Sequence, residues 1–348
     1  MKFKIKNRYI GKEYDPFIIA EISANHNGDI EVAKESIISA KNSGADAVKL
    51  QTYTPDTMTI NSSNDDFVIK DGLWKDRNLY ELYQEAHTPF EWHEDLFKLA
   101  NEIDILCFST PFDESAVDLL ESLDAPAYKV ASFEVTDLTL LSYIAKTKKP
   151  VIMSTGMASL EEINEAVNTL LDNGTSDLAI LHCVSGYPTD PKHANLRTIV
   201  DLEERYKCVV GLSDHTLSNS TAIASIPLGV SIIEKHFIID KDLGGPDSSF
   251  SITPDQLKGL KISTSEAHSA IGDVNYDLKG EEKNMIKFRR SLYAVKDIKA
   301  GESFNSGNIK RIRPGYGIEP KFYDSIIGKT ASEDINFGTA LNWNLINE

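Results

Sequence analysis

The chain of 348 residues contains little cysteine and no long apolar run. Cys107, Cys183 and Cys208 each lie within a hydrophobic stretch, and none forms a CxxC pair, so we expect buried, reduced thiols. No apolar stretch approaches the roughly 18 residues of a membrane-spanning helix. The amino terminus alternates charged and apolar residues and lacks the apolar block of a signal peptide. These absences predict a globular protein of the cytoplasm.

Positive charge is also scarce. There are 36 Lys and Arg residues against 53 Asp and Glu residues, a formal net charge of −17. No cluster of Lys and Arg marks a nucleic-acid-binding face, and an acidic surface is repelled by anionic membranes. If the substrate is an anion, the active site must supply local positive charge, so each Lys, Arg or metal ligand there is informative.

A glycine-rich phosphate-binding loop is missing after the first apolar run, where Ser23-Ala24-Asn25-His26-Asn27-Gly28 stands instead. This argues against an open doubly wound sheet. Eight short apolar runs alternate with amphipathic stretches, which predicts eight β/α units in a closed (β/α)₈ barrel. The runs are Phe17–Glu21, Ala47–Gln51, Ile105–Thr110, Ala127–Ser132, Val151–Thr155, Leu178–Cys183, Cys208–Ser213 and Ser231–His236.

The predicted organisation has four parts. A β-hairpin (1–16) precedes the barrel (17–271), and a linker (272–286) leads to a small β-rich domain (287–348). Within the barrel, the segment Asp56–Tyr83 is long for a βα connection. Connections of this length are commonly lids or substrate-binding loops.

Polar residues gather where the barrel strands end, which is where active sites of this fold lie. Glu21 ends the first strand, while Lys49 and Gln51 share one face of the second. Lys129 lies inside an apolar strand, as Lys49 does, and a buried lysine needs a partner. That partner is either a bound anion or a carboxylate such as Glu21. A Schiff-base lysine is a further alternative.

Two histidines end neighbouring strands. His215 and His236 are separated by about one βα unit, so they could meet on one exchangeable divalent ion with open coordination positions. The alternative is a pair of ordinary hydrogen-bonded histidines. A structural zinc site is disfavoured because no cysteine cluster accompanies them.

Several motifs in order resemble the sialic acid synthase family, the PEP-dependent (phosphoenolpyruvate-dependent) nonulosonic acid synthases. The similar segments span essentially the whole chain: Glu21–Asp29, Gly44–Thr52, Phe108–Asp113, Ser154–Met157, Gly211–Thr216, Glu234–Phe237 and Gly245–Asp247. The tail, with Arg289–Leu292 and Ile312–Gly317, resembles the antifreeze-like (SAF) domain of the same enzymes.

The resemblance implies an enzyme that joins PEP to an N-acetylated amino-sugar aldehyde on manganese or magnesium bound by His215 and His236. It implies catalytic roles for Glu21, Glu134 and Asp247. It also implies a homodimer in which the tails are exchanged, so that Arg313 reaches a partner's barrel. The implied PEP-binding residues are Lys49, Thr110, Lys129, Ser132, Ser154, Ser185 and Ser213, and the implied sugar-binding residues are Gln51, Tyr187, Asp247 and Arg313.

Within the family, two features resemble the pseudaminic acid branch. One is Gly72-Leu73-Trp74 with Leu79–Tyr83 in the long loop, and the other is Asp247-Ser248-Ser249-Phe250-Ser251. The neuraminic and legionaminic acid branches more often have histidine after this aspartate and asparagine in place of Ser185. Those branches remain alternatives, as does a sugar-binding protein without catalysis.

Overall fold

The computed structural model describes residues 1–347, which divide into two compact units, Met1–Gly272 and Asp273 onward. The first unit begins with an antiparallel hairpin of β1 (Lys2–Ile5) and β2 (Arg8–Gly11). Among the described residues, eight parallel strands then close into a barrel, which confirms the predicted (β/α)₈ fold. They are β3 (Phe17–Glu21), β4 (Ala47–Thr52), β5 (Leu106–Pro111), β6 (Tyr128–Val130), β7 (Val151–Ser154), β8 (Leu178–Cys183), β9 (Val209–Ser213) and β10 (Ile232–His236).

Helices follow the barrel strands on the outside. Their starts carry ordinary capping signals: Ser159, for example, accepts from the backbone N–H of Glu162, whose side chain accepts in return from the Ser159 N–H. The helices are α1 (Ile30–Asn42), α2 (Pro55–Met58), α3 (Leu79–Ala86), α4 (His93–Glu102), α5 (Glu114–Ser122), α6 (Leu138–Ala145), α7 (Leu160–Asp172), α8 (Thr198–Tyr206), α9 (Ser220–Ser225) and α10 (Pro254–Ile271). Within residues 1–347, no helix has the length and hydropathy that crossing a bilayer demands.

Alternation along the strands creates two separate cores. Outward side chains such as Val48 and Leu50 pack under the helices. Inward side chains at the amino ends of the strands form what we name the apolar layer, and the hairpin packs Phe3, Ile5 and Ile10 against it. The apolar layer consists of Phe17, Ile19, Ala47, Phe108, Ala127, Ile152, Ala179, Leu181, Val209 and Ile232.

The second unit has its own small core. Strands β11 (Ser291–Ala294) and β12 (Ile309–Ile312) pair antiparallel, and short isolated bridges extend the β structure. Two single-turn helices, α11 (Glu282–Met285) and α12 (Tyr323–Ile326), accompany them, and α11 falls in the segment predicted as linker. Fully buried residues such as Leu292, Phe304 and Leu341 hold this unit together.

Candidate active site

A cleft of about 480 Å³ opens at the carboxyl ends of the barrel strands. Its volume lies in the range of small-molecule sites. One side, which we name the floor, is polar and comes from the strand ends and the segments that follow them. The opposite side, the roof, is apolar and comes from the long segment after β4. The floor consists of Ser23, Gln51, Glu134, His236 and Asp247, and the roof of Met58, Ile69, Trp74, Leu79 and Leu82.

Inward-facing polar side chains lie directly beneath the floor, and we name Glu21, Lys49, Lys129, Ser213 and Glu234 the polar layer. Lys49 Nζ lies 2.5 Å from Glu21 Oε2 and donates to Thr110 Oγ1 at 3.1 Å. The carboxylate partner that the sequence left open for Lys49 is therefore present. Glu21 also accepts from Gln51 Nε2 at 3.1 Å, which connects this layer to the floor.

The second buried lysine stands two strands away, on β6, with β5 between it and the strand of Lys49. Lys129 Nζ donates to Ser154 Oγ at 2.7 Å and to the Val130 carbonyl at 2.9 Å. Glu234 reaches between the lysines, with Oε1 at 4.0 Å from the amines of both Lys49 and Lys129, and it accepts from Ser213 Oγ at 3.2 Å. The layer thus brings the two predicted amines to one end of the barrel.

Burial governs the titration of these groups. It raises the pKa of Glu21 to about 7, against the opposing effect of Lys49. It lowers the pKa of Lys129, against the opposing effect of Glu234. A carboxyl that titrates near neutrality can change its charge when an anion binds beside it.

A small cradle forms where β7 ends. The backbone N–H of Gly156 donates to Ser132 Oγ at 3.0 Å. A Cβ at position 156 would lie 2.8 Å from Ser132 Oγ and would collide with Ser185 Oγ, so only glycine permits this approach. The hydroxyls of Ser132 and Ser185, gathered around Gly156, are neutral donors of the kind that hold a phosphate or carboxylate.

The predicted histidine pair does meet. The rings of His215 and His236 lie 5.4 Å apart between centroids, close enough for both to reach one ion. His215 Nδ1 donates to the Val184 carbonyl at 3.0 Å, which leaves Nε2 as the nitrogen with a free lone pair. Burial, followed by the neighbouring positive charges, holds the pKa of His236 well below its ordinary value, so its imidazole is neutral.

These histidines fit an open rather than a closed metal site. Nδ1 of His236 is buried and finds no hydrogen-bond partner among residues 1–347, and Asp247 Oδ2 lies 3.7 Å from it. In the same residues, no three His, Cys, Asp or Glu side chains are arranged to hold an ion. Two imidazoles would leave the other coordination positions to substrate and water, as catalytic rather than structural sites do.

Two carboxyl groups of the floor have raised pKa values. Burial raises the pKa of Glu134 to about 7, and its Oε2 has no hydrogen-bond partner within the described part of the chain. Burial also raises the pKa of Asp247, while a hydrogen bond from Ser23 Oγ opposes the shift. A carboxyl poised near neutral pH can exchange a proton with a reacting molecule.

The last two predicted residues fall in different places. Tyr187 lines the cleft, with its ring 4.5 Å from His215 and 5.8 Å from Trp74 between centroids. Arg313 follows β12 in the second unit and is exposed. Its role in a partner's cleft stays a prediction.

Sequence reasoning did not single out two groups that the structure places here. Glu234 joins both lysines, and its position two residues before His236 on one strand face was the available signal. Asp214 and Lys235 form a buried ion pair at 2.8 Å, and Lys235 Nζ also donates to the Thr216 carbonyl at 2.7 Å. Since each precedes one histidine of the pair, this ion pair fixes the two strand ends relative to each other.

Comparison with known proteins agrees with this architecture. A pseudaminic acid synthase from Campylobacter jejuni is 48% identical over 325 residues, covering 93% of this chain and 95% of that protein. An N,N'-diacetyllegionaminic acid synthase of the same species is 38% identical, covering 91% and 96%. The crystal structure of an N-acetylneuraminic acid synthetase from Leptospira borgpetersenii, in complex with citrate, matches with a TM-score of 0.73 and 29% identity, covering 83% of this chain and 96% of that one.

Two family models match the chain in order along its length. The NeuB family model covers residues 36–276, well over half of the chain and most of the barrel. The SAF domain model covers residues 289–347, the region with the second core. The chain belongs to the NeuB family and carries a SAF domain after its barrel.

Proposed function

We propose that this enzyme condenses PEP with 2,4-diacetamido-2,4,6-trideoxy-L-altrose to give pseudaminic acid and phosphate. The observation that carries the proposal is the placement of Lys49, Lys129 and the His215–His236 pair at one end of one barrel, at and beneath a single cleft. The higher identity to a pseudaminic than to a legionaminic acid synthase supports this sugar. We place the reaction in the cytoplasm, where PEP is made.

The polar layer and the cradle would hold PEP. Lys49 with Thr110 and Lys129 with Ser154 supply charged donors, while Ser213 adds a hydroxyl. The hydroxyls of Ser132 and Ser185 add neutral donors beside them, and the Gly156 N–H holds Ser132 in place. Fixing both the phosphate and the carboxylate keeps the PEP methylene carbon aimed at the floor, which lowers the entropic part of the barrier.

A divalent metal, manganese or magnesium, held by His215 and His236 would act as a Lewis acid on the aldehyde oxygen of the sugar. Two features of the structure suit these histidines to metal binding. The Val184 carbonyl orients the His215 ring, and burial keeps His236 neutral. Gln51, Tyr187 and Asp247 would orient the open-chain sugar over this pair.

Proton movement would fall to the carboxyl groups. The PEP methylene carbon attacks the aldehyde carbon, water adds to C2 and gives up a proton, and the C–O bond to phosphate breaks. Glu134, with its pKa near 7 and an unpartnered oxygen within the described residues, is suited to accept that proton. Glu21 or Asp247 would serve the aldehyde oxygen as it gains a proton.

We also propose that the enzyme works as a homodimer in which the SAF domain of one copy supplies Arg313 to the cleft of the other. An exposed arginine beside an N-acetyl group can donate to its carbonyl. Mixing two inactive variants, Arg313→Ala and Lys129→Ala, should restore part of the activity, because mixed dimers contain one intact cleft. Mixtures that stay inactive would contradict the exchange.

Phosphate release from PEP tests the reaction itself. The purified protein is incubated with manganese, PEP and each of three sugars: the trideoxy-altrose, N-acetylmannosamine and the legionaminic acid precursor. We expect the largest kcat/KM with the first. Faster release with another sugar would reassign the branch, and sugar binding by calorimetry without release would indicate a non-catalytic protein. A covalent adduct after borohydride treatment with pyruvate would favour a Schiff-base aldolase.

A further inference from the structure

The five side chains of the roof offer almost no hydrogen-bonding group, although the phenol of Tyr83, from the same segment, also lines the cleft. Met58, Ile69, Leu79 and Leu82 present only carbon and sulfur atoms. Trp74 is the one roof residue with a side-chain donor, but its indole Nε1–H already donates to the Pro246 carbonyl at 3.1 Å. Trp74 therefore presents no free donor to the cavity.

The same hydrogen bond ties the long loop across the cleft. Pro246 directly precedes Asp247 of the floor, so the bond from Trp74 holds the roof against the segment that follows β10. The Trp74 ring also lies 5.8 Å from the Tyr187 ring, which in turn lies 5.1 Å from Phe250. The cleft is thus a box with polar groups at its base and aromatic and aliphatic groups above.

An open-chain sugar in this box has one orientation that satisfies both sides. Its aldehyde must meet the histidine pair at the floor, so its far carbons lie under the roof. A hydroxyl against Met58, Leu79 and Leu82 would lose its hydrogen bonds to water and gain none from these side chains, whereas a methyl group would lose nothing.

Resting on the proposed function, we propose that the roof, chiefly through Leu79, Met58 and Trp74, is the specificity element that selects a sugar aldehyde with a methyl group in place of a hydroxyl at its last carbon. Apolar sites discriminate against one added hydroxyl by about 10- to 100-fold. The preference should appear mainly in KM, because the contact exists before the reaction as well as during it.

The test uses two sugars that differ by one oxygen, the trideoxy-altrose and its 6-hydroxy counterpart. Wild-type enzyme should prefer the former by about 10- to 100-fold in kcat/KM. Met58→Gln and Leu79→Gln should each reduce this ratio several-fold, and the double variant should nearly abolish it. Leu73→Gln is the matched control, because Leu73 is in the same loop, is 49% exposed and does not line the cleft.

Binding of the unreactive sugar alcohols, measured by calorimetry on the same proteins, separates this inference from the proposed function. If no sugar releases phosphate, the proposed function fails. The affinities of the two sugar alcohols then decide by themselves whether the roof selects the methyl group. Equal wild-type affinities and equal kcat/KM for the two sugars would overturn the inference. So would a ratio that Leu79→Gln leaves unchanged in a variant whose melting temperature shows that it is folded.

Discussion

The apolar and polar layers occupy the same barrel interior and lie only two residues apart along β3, β4 and β10. Ile19 precedes Glu21, Ala47 precedes Lys49, and Ile232 precedes Glu234 on one inward face. The amino end is filled with hydrocarbon, while the carboxyl end holds four charged groups that are almost fully buried. The hydrocarbon below excludes water from the charges above, and this desolvation shifts their pKa values.

This difference implies that the two layers contribute differently to stability and to activity. The apolar layer contributes burial free energy, about 25 cal/mol per Å² of apolar surface removed from water. The polar layer gains little net stability, because desolvating charges costs roughly what their pairing returns. We infer that the polar layer serves the chemistry, so changes in the two layers should separate activity from stability.

The largest expected effect comes from the polar layer. Lys129→Ala should lower kcat/KM by about 10³-fold or more, because it removes a buried charged partner for PEP, worth at least about 4 kcal/mol. Phosphate release measures this loss, and PEP binding by calorimetry should weaken in parallel. Near-normal kcat/KM in this variant would show that Lys129 does not bind PEP.

Removal of the metal should be almost as severe. Chelation should stop phosphate release, and manganese should restore it, because the Lewis acid that we propose for the aldehyde oxygen would be lost. His215→Ala and His236→Ala should lose manganese binding, measured by calorimetry. The control is His182→Gln, since His182 is buried in β8 and is bonded to the Ala194 carbonyl at 2.6 Å. Full activity in metal-free enzyme would contradict the assignment of the histidine pair.

The buried ion pair of Asp214 and Lys235, which lies outside the barrel interior, offers a third case to set beside the apolar and polar layers. Lys235→Met should lower the free energy of unfolding by about 3–5 kcal/mol, because Asp214 remains buried without its partner. Adding Asp214→Leu should recover part of the loss. Urea unfolding of both variants measures this, and a loss under about 1 kcal/mol for Lys235→Met would show that water or a backbone group satisfies Asp214.

The raised pKa of Glu134 predicts a dependence of stability on pH. With a pKa of about 7 in the fold and near 4.5 when unfolded, Glu134 binds its proton more tightly in the folded state. Its contribution to stability is therefore present at low pH and declines as pH rises from about 4.5 to about 7, by up to about 3 kcal/mol. Between pH 5 and pH 8, Glu134→Gln should lose less unfolding free energy than the wild type. Identical dependence of the unfolding free energy on pH in the two proteins would contradict the raised pKa of Glu134.

The smallest effect is expected from the apolar layer. Ile152 pairs with Lys129 in the strand register, so Ile152→Val changes the neighbouring strand without touching a charge. It should cost about 0.5–1.5 kcal/mol of unfolding free energy and leave kcat/KM within about twofold. A large loss of activity would show that the two layers are mechanically coupled.

The sequence was sufficient for the fold because the signal is local and repeated. Each strand is a short apolar run such as Leu178–Cys183, and each helix a longer amphipathic stretch such as Leu160–Asp172. It also indicated which end of the barrel carries chemistry, since buried lysines are costly without a function or a partner. The unusual length of the loop Asp56–Tyr83 was visible too, but the groups that its side chains face were not.

What the sequence determined by itself was the order of the strands, the two-residue alternation that aims Lys49 and Lys129 inward, and the one-unit spacing of His215 and His236. Only the tertiary structure decided the partners of those groups. Closure of the barrel places β10 beside β3 and across from β6, so that Glu234 reaches both lysines. The physical reason is that a side chain's face is set by local backbone geometry, whereas closure depends on the packing of all eight strands together.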